Sequence, residues 1–201
     1  MNYEIVLATS NKHKLEEVRN FLAPHKIIVY GLNDLNIKIG DIEENGKNYY
    51  ENALIKAKAV AKFIDLPIIA DDSGLEIEAL NNEPGLHSAR YAEKLGGHQN
   101  AIKEILNRLE KSTNRHARFV CDIVLVNEGD KPLLFEGIAE GYIADEPIWG
   151  DGFGYDPIFQ SEEIDKRFSE LTKEEKNKVS HRGKALLKLL TYLKITHQSI
   201  Q

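Results

Sequence analysis

A single cysteine, Cys121, leaves the 201-residue chain without an internal disulfide, which fits a reducing compartment. It sits among apolar residues of a strand-like run and reads as core filler rather than nucleophile. Long apolar runs are missing too: nothing approaches the roughly 20 residues that a membrane span needs. The opening Met1-Asn2-Tyr3-Glu4 has neither the basic start nor the apolar region of a signal peptide, so a cytoplasmic protein with no membrane contact is expected. Positive charge is in deficit. A formal net charge of −6 argues against a dedicated nucleic-acid binder, whose phosphate contacts need a basic surface, and any polyanion site has to be a local basic patch. With no repeat, no low-complexity linker and no clean composition break, residues 1–201 are expected to form one domain able to bury a sizeable core.

What is present is an alternation of short apolar runs and helical spacings. Ile5-Val6-Leu7-Ala8 reads as a buried strand, followed by the polar turn Thr9-Ser10-Asn11-Lys12-His13-Lys14 and a helix with Leu15, Val18 and Leu22 on one face, stopping before Pro24. A strand, polar turn and helix start can meet an anion with exposed N–H groups, and here two lysines lie in the turn. The segment lacks the glycines and order of a GxxxxGK[ST] phosphate loop, so an N-capped helix with solvated lysines stands beside the anion-binding reading. A second strand at Ile27-Ile28-Val29-Tyr30 leads to an irregular acidic stretch containing Asp41, Glu43 and Glu44. An Ala-rich segment then places Ala53, Ala57, Val60, Ala61 and Ile64 on one face of a helix.

The central stretch is Ile68-Ile69-Ala70-Asp71-Asp72-Ser73-Gly74-Leu75. An apolar strand here delivers adjacent carboxylates to a turn, and because successive side chains alternate, one can face a site while its neighbour faces the supporting structure. Mg2+ is commonly held by one or two carboxylates plus water and substrate phosphate. The competing reading is a solvated turn, since Asp, Ser and Gly are ordinary turn residues.

Leu75 and Ile77 begin a half-exposed strand expected to end at Asn81-Asn82, and Glu83-Pro84-Gly85 is read as a turn before Ser88-Ala89-Arg90-Tyr91. Ile102, Ile105, Leu106 and Leu109 mark a helix, and two β-rich segments, 117–126 and 133–143, are joined by the hairpin signal Asn127-Glu128-Gly129-Asp130. Trp149-Gly150-Asp151-Gly152-Phe153-Gly154-Tyr155-Asp156-Pro157 interleaves glycines with aromatics, giving close backbone approach and rings that can stack on a base; a packed surface loop is the alternative. Thr172 with Glu175 forms a capping box, and a last helix follows Ser180-His181-Arg182-Gly183 with Leu186, Leu189, Leu190 and Leu193 on its apolar face. Strands alternating with helices, plus a long hairpin, predict a mixed-sheet α/β protein.

Lysines at 12, 14 and 176 and the His181/Arg182 pair, together with acids at 43, 44, 71 and 72 and the aromatic loop, combine cations for phosphates, carboxylates for a metal and rings for a base. Taken in order, Thr9-Ser10-Asn11-Lys12-His13-Lys14, Glu44-Asn45-Gly46 with Glu51-Asn52-Ala53, Ala70-Asp71-Asp72-Ser73-Gly74-Leu75, Ser88-Ala89-Arg90-Tyr91, Gly152-Phe153-Gly154-Tyr155-Asp156-Pro157 and Ser180-His181-Arg182-Gly183 resemble the inosine triphosphate pyrophosphatase family across nearly the whole chain. His13, Asn45 and Asn48-Tyr49 depart from that family's more usual residues.

The resemblance implies a homodimeric, Mg2+-dependent hydrolase that converts ITP, dITP and XTP to the monophosphate and pyrophosphate. The implied fold is an elongated mixed β-sheet flanked by helices, in two lobes with substrate in a central cleft. It assigns the triphosphate to Thr9, Ser10, Asn11, Lys12, His13 and Lys14, the general base and a metal ligand to Asp72, and a substrate contact to Ser73. Phe153, Gly154, Tyr155 and Asp156 match the base-binding loop, Lys176, His181 and Arg182 match contacts to phosphate and purine, and Glu43 or Glu44 stands where an acid serves the metal. Rival readings are a pyrophosphatase for modified pyrimidine triphosphates of the septum-inhibitor type, a nucleotide-binding module without turnover, and an aspartyl-phosphate phosphatase using Asp71 or Asp72 as nucleophile.

Overall fold

The computed structural model describes residues 2–40 and 42–197; Met1 and Asp41, both named above, lie outside them. In chain order the elements are β1 (Tyr3–Leu7), α1 (Lys12–Leu22), β2 (Ile27–Gly31), α2 (Tyr49–Ala61), β3 (Ile68–Ile77), β4 (Glu83–Pro84), α3 (Ser88–Lys94), α4 (His98–Arg108), β5 (His116–Val126), β6 (Leu133–Ile143), β7 (Phe159–Ser161), α5 (Lys173–Val179) and α6 (His181–Thr196), with short 3-10 turns between some of them. The strands form one open sheet in the order β2-β1-β3-β5-β6-β7, with β4 on β3. It is mixed, as expected: β1 runs parallel to β2 and to β3, whereas β3 with β4 and β6 with β7 are antiparallel.

The chain divides into two compact units, each assembled from separated segments. Unit 1 comprises Met1–Asp72, Cys121–Glu136 and Ala185–Gln201; unit 2 comprises Ser73–Val120 and Gly137–Lys184. In unit 1 the alternation of strand side chains builds two apolar layers. One contains Ile5, Leu7, Ile69, Cys121 and Ile123 with Val18 and Leu22 of α1 and Leu186, Leu189, Leu190 and Leu193 of α6. The other contains Val6, Ile68, Ala70 and Val124 with Ala53, Ala57 and Val60 of α2. Cys121 is buried core, as its surroundings predicted. Unit 2 has its own core, in which Leu75, Ile102, Ile105, Phe119, Phe159 and Phe168 pack together.

Three local expectations need correction. First, the chain does not turn after Asp72, because β3 continues to Ile77. Its backbone still finds partners there: Ser88 Oγ accepts a hydrogen bond from Leu75 N at 2.9 Å, and Glu76 and Ile77 register with Pro84 and Glu83. For the same reason Glu83-Pro84 is a short strand rather than a turn. Second, the half-exposed strand stops at Ile77 rather than Asn81-Asn82, which both take positive φ after a 3-10 turn. Third, Lys12, His13 and Lys14 do not lie in a turn. They form the first turn of α1, which Asn11 caps by accepting from His13 N at 3.0 Å and Lys14 N at 3.2 Å, satisfying two of the helix's orphan donors. The Thr172 capping box is present in both directions. No described helix is long and apolar enough to cross a membrane.

Candidate active site

In unit 1, alternation along β3 separates the two central aspartates. Asp71 joins the layer of Cys121 and α1: its Oδ2 is 3.0 Å from Lys14 Nζ and 4.0 Å from Cys121 Sγ. Asp72 joins the layer of α2. Asn52 Nδ2 donates to Asp72 Oδ2 at 3.1 Å, and Lys56 Nζ lies 3.7 Å from Asp72 Oδ1 and 3.2 Å from Glu44 Oε2. Asn52 also fixes the acidic loop, its Oδ1 accepting from Gly46 N at 2.8 Å. Burial raises the Asp72 pKa above its ordinary value; Lys56, Lys14 and the Asn52 amide oppose that shift and Glu44 adds to it. The outcome is a carboxylate more basic than usual, held by one amide and flanked by two ammonium groups.

The structure therefore assembles Lys14, Glu44 and Asp72 of the sequence-derived set around β3 and α2. Glu43 is exposed, whereas Glu44 is the acid that shares Lys56 with Asp72. Thr9 Oγ1 accepts from Asn11 N at 3.1 Å, and Ser10, Lys12 and His13 are exposed around the start of α1. Lys56 and the role of Asn52 were missed by the sequence reading. A signal existed: two polar residues four apart share one side of a helix whose neighbours are alanines, a pattern that solvation alone does not explain.

Unit 2 holds a second group. Asp156 Oδ2 accepts from Phe153 N at 2.8 Å and pairs with Lys176 Nζ at 2.7 Å. The same ammonium stands 4.6 Å from the centre of the Phe153 ring, and the Arg182 guanidinium 5.8 Å from it, so one ring carries two cations. Arg182 also donates to Ser73 Oγ at 3.2 Å. His181 is buried and stacked on Phe119, with centroids 4.6 Å apart and planes within 9°. Tyr155 is core: its ring is buried and its hydroxyl donates to the Ser88 carbonyl at 2.7 Å. Two of the loop glycines serve the protein's own packing, since a Cβ at Gly150 would stand 2.2 Å from Ser169 O and one at Gly152 2.6 Å from Asp156 Cβ. Gly154 alone of the three has positive φ, +66°, and its nearest neighbour to a Cβ is His98 at 3.8 Å.

The donor set fits a hard divalent cation of the Mg2+ class. Lys56 Nζ already bridges Glu44 and Asp72, so these carboxylates converge on one cationic position. No preformed group of three His, Cys, Asp or Glu ligands occurs among the described residues; an ion that takes one or two carboxylates and completes its shell with water and phosphate needs none.

Residues 5–192 match the Ham1 family. The chain is 43% identical over 191 residues to a dITP/XTP pyrophosphatase of Thermoanaerobacter pseudethanolicus, covering 94% of this chain and 96% of that protein. It is 40% identical over 190 residues to one from Staphylococcus aureus, covering 94% and 96%. Among solved structures, the Staphylococcus aureus Ham1 protein superposes with a TM-score of 0.84 at 39% identity, covering 96% of this chain and 99% of that one. A HAM1 protein from Coxiella burnetii gives 0.83 at 42% identity, with 96% and 99% covered. With the match spanning nearly its full length, the chain belongs to the Ham1 family.

Proposed function

We propose that this chain is a nucleoside triphosphate pyrophosphatase that hydrolyses non-standard purine nucleoside triphosphates, ITP, dITP and XTP, to the monophosphate and pyrophosphate, removing them from the nucleotide pool. The observation that carries the reading is Asp72: a nearly buried carboxylate, pinned by Asn52 and flanked by Lys56 and Lys14 in one unit. Family membership and the dITP/XTP pyrophosphatase names of its relatives support the substrate class.

Water attacking an α-phosphate approaches an anion, so a base must orient and deprotonate it while cations neutralise the phosphates. Asp72 is that base. Its basicity, raised by burial, favours proton acceptance, and the Asn52 amide fixes the carboxylate plane. Asp72 and Glu44 would hold Mg2+, which when bound supplies charge neutralisation at the phosphates. Lys14, released from Asp71, stabilises the departing pyrophosphate. In unit 2, Phe153 offers a ring for the purine and Arg182 a donor for a 6-oxo group; adenine presents an amino donor there, and a donor facing a donor in a buried site supports rejection of ATP. The reading includes a homodimer and a cytoplasmic location, where free nucleotides are, and light scattering and cell fractionation check these.

The test is an assay of ITP, XTP, dUTP and ATP in Mg2+ with pyrophosphate and orthophosphate both quantified. Pyrophosphate release from ITP and XTP is expected, with Asp72→Asn abolishing turnover while sparing nucleotide binding, and Arg182→Ala eroding the preference for ITP over ATP. Orthophosphate as the product, a preference for dUTP, or an active Asp72→Asn variant overturns the reading.

A further inference from the structure

His98 is the first residue of α4 and follows Gly96-Gly97, which take φ of +79° and +124°. The turn from α3 is fixed there, since Asn100 Nδ2 donates to the Leu95 carbonyl at 2.7 Å. Ala101, Ile102 and Ile105 carry one face of α4 into the unit 2 core. Residues three and four apart share a helix face, so His98 projects from a rigid helix start on the same side as Ala101 and Ile102, at the surface end of the packed face.

There it meets the loop that bears Phe153. The His98 and Tyr155 rings stand edge to face, with centroids 5.1 Å apart and planes at 76°. A Cβ on Gly154 would stand 3.8 Å from His98 Nε2 and 3.9 Å from its Cδ2, and beyond Gly154's chain neighbours no other described residue comes within 4 Å of that point. At Gly150 and Gly152 the loop presses on Ser169 and Asp156; at Gly154 its cover is the imidazole. A glycine at φ +66° has no side chain with which to stiffen its own backbone, so order at that point comes from what packs on it.

The position matters for Phe153. Its N–H donates to Asp156 Oδ2 at 2.8 Å and its carbonyl accepts from Asp156 N at 3.3 Å, closing a tight turn. Gly154 and Tyr155, the residues inside that turn, are the ones His98 touches. Tyr155 is held at both ends, by the Ser88 carbonyl on its hydroxyl and by His98 on its ring. Shielding of the imidazole lowers its pKa below the ordinary value, against the charges of Asp156 and Glu93, so at neutral pH the ring is uncharged and meets Tyr155 as an aromatic.

We propose that His98 is a positioning residue for the base-binding loop: by packing on Gly154 and Tyr155 it sets the orientation in which the Phe153 ring meets the purine. The inference rests on the reading of Phe153 as the purine's stacking partner, and adds a residue from α4 that none of the sequence motifs contains.

The test uses the full chain as parent, His98→Ala and His98→Phe, with hydrolysis of ITP and ATP measured in Mg2+ and backbone hydrogen exchange followed without nucleotide. His98→Ala is expected to raise KM for ITP about 2- to 10-fold, the worth of one aromatic pair, while kcat stays within about twofold. The preference for ITP over ATP should be unchanged, because a ring stacks on either purine and discrimination belongs to Arg182. His98→Phe, which keeps an uncharged ring and removes both nitrogens, is expected to restore KM. Exchange at the Phe153 and Asp156 amides should quicken in His98→Ala and return in His98→Phe, while the Ile143 amide, bonded to the Arg115 carbonyl at 2.8 Å, stays as in the parent. Parent-like exchange at the two loop amides in His98→Ala overturns the proposal, as does an equal defect in both variants or a fall in kcat that matches the rise in KM. An active parent with an unchanged KM in His98→Ala overturns this inference alone; a parent that does not turn over ITP overturns the substrate reading and this inference with it.

Discussion

Replacing Asp156 with asparagine tests how the loop of unit 2 is held. One carboxylate oxygen accepts from Phe153 N at 2.8 Å and from Lys176 Nζ at 2.7 Å, and the pair is well shielded, with side-chain exposures of 4% and 13%. A hydrogen bond to a charged group contributes about 1.5–3 kcal/mol against about 0.5–1.5 for a neutral one, so the amide weakens two bonds by about 1 kcal/mol each. It also leaves the Lys176 ammonium largely buried without that counter-charge, a loss that reaches about 3–5 kcal/mol in fully buried pairs. A net destabilisation of about 2–4 kcal/mol follows. For a chain of this size it corresponds to a melting temperature lower by about 5–15 °C. The assay is a double-mutant cycle with Lys176→Met, read by thermal and urea denaturation. Coupling of about 2 kcal/mol is expected because the two groups share one bond. Additive effects within about 0.5 kcal/mol would refute the reasoning, and so would a stability unchanged by Asp156→Asn. In kinetics, the same variant should raise KM for ITP more than it lowers kcat, since it loosens the ring-bearing residue rather than the base.

Further expectations are smaller in scope. Ser88→Ala removes the hydroxyl that accepts from Leu75 N at 2.9 Å and donates to Gly85 O at 2.6 Å; a loss of about 1–3 kcal/mol is expected for the stranded N–H, with faster hydrogen exchange at the Leu75 amide as its signature. In EDTA, stability should depend on pH through Asp122. Its folded pKa of about 6 stands above the ordinary 3.8, so the folded state binds more protons between those values, and stability falls as pH rises through that window. Asp122→Asn should therefore gain on the parent as pH goes from 4 to 7, and denaturation curves of equal separation at both ends would contradict this.

The first strand, the helix stopping before Pro24 and the Leu-lined last helix were legible in the sequence because hydrophobic periodicity alone sets them. The Asp-Asp-Ser-Gly segment misled because its composition is that of a turn, while Ser88 and the short strand at Glu83 supply partners that keep β3 extended. Local propensity does not contain such long-range partners. For the site, Asp72 and Lys176 were visible as charged residues in motifs, but that Glu44 rather than Glu43 shares Lys56 with Asp72 could be read only from the position of Lys56, a residue on a different element. Tyr155 sits in the same motif as Phe153, yet its hydroxyl is spent on the Ser88 carbonyl, a distinction that spacing cannot make.

Asn52 and Lys56 occupy consecutive turns of one helical rod, the first clasping Asp72 and the second linking it to Glu44. A shift of that rod along its axis must change both grips together. Asp72 and its acidic companion Glu44 thus answer to a single mechanical element, and substitutions in the alanine layer beneath α2 are where the balance between them can be retuned.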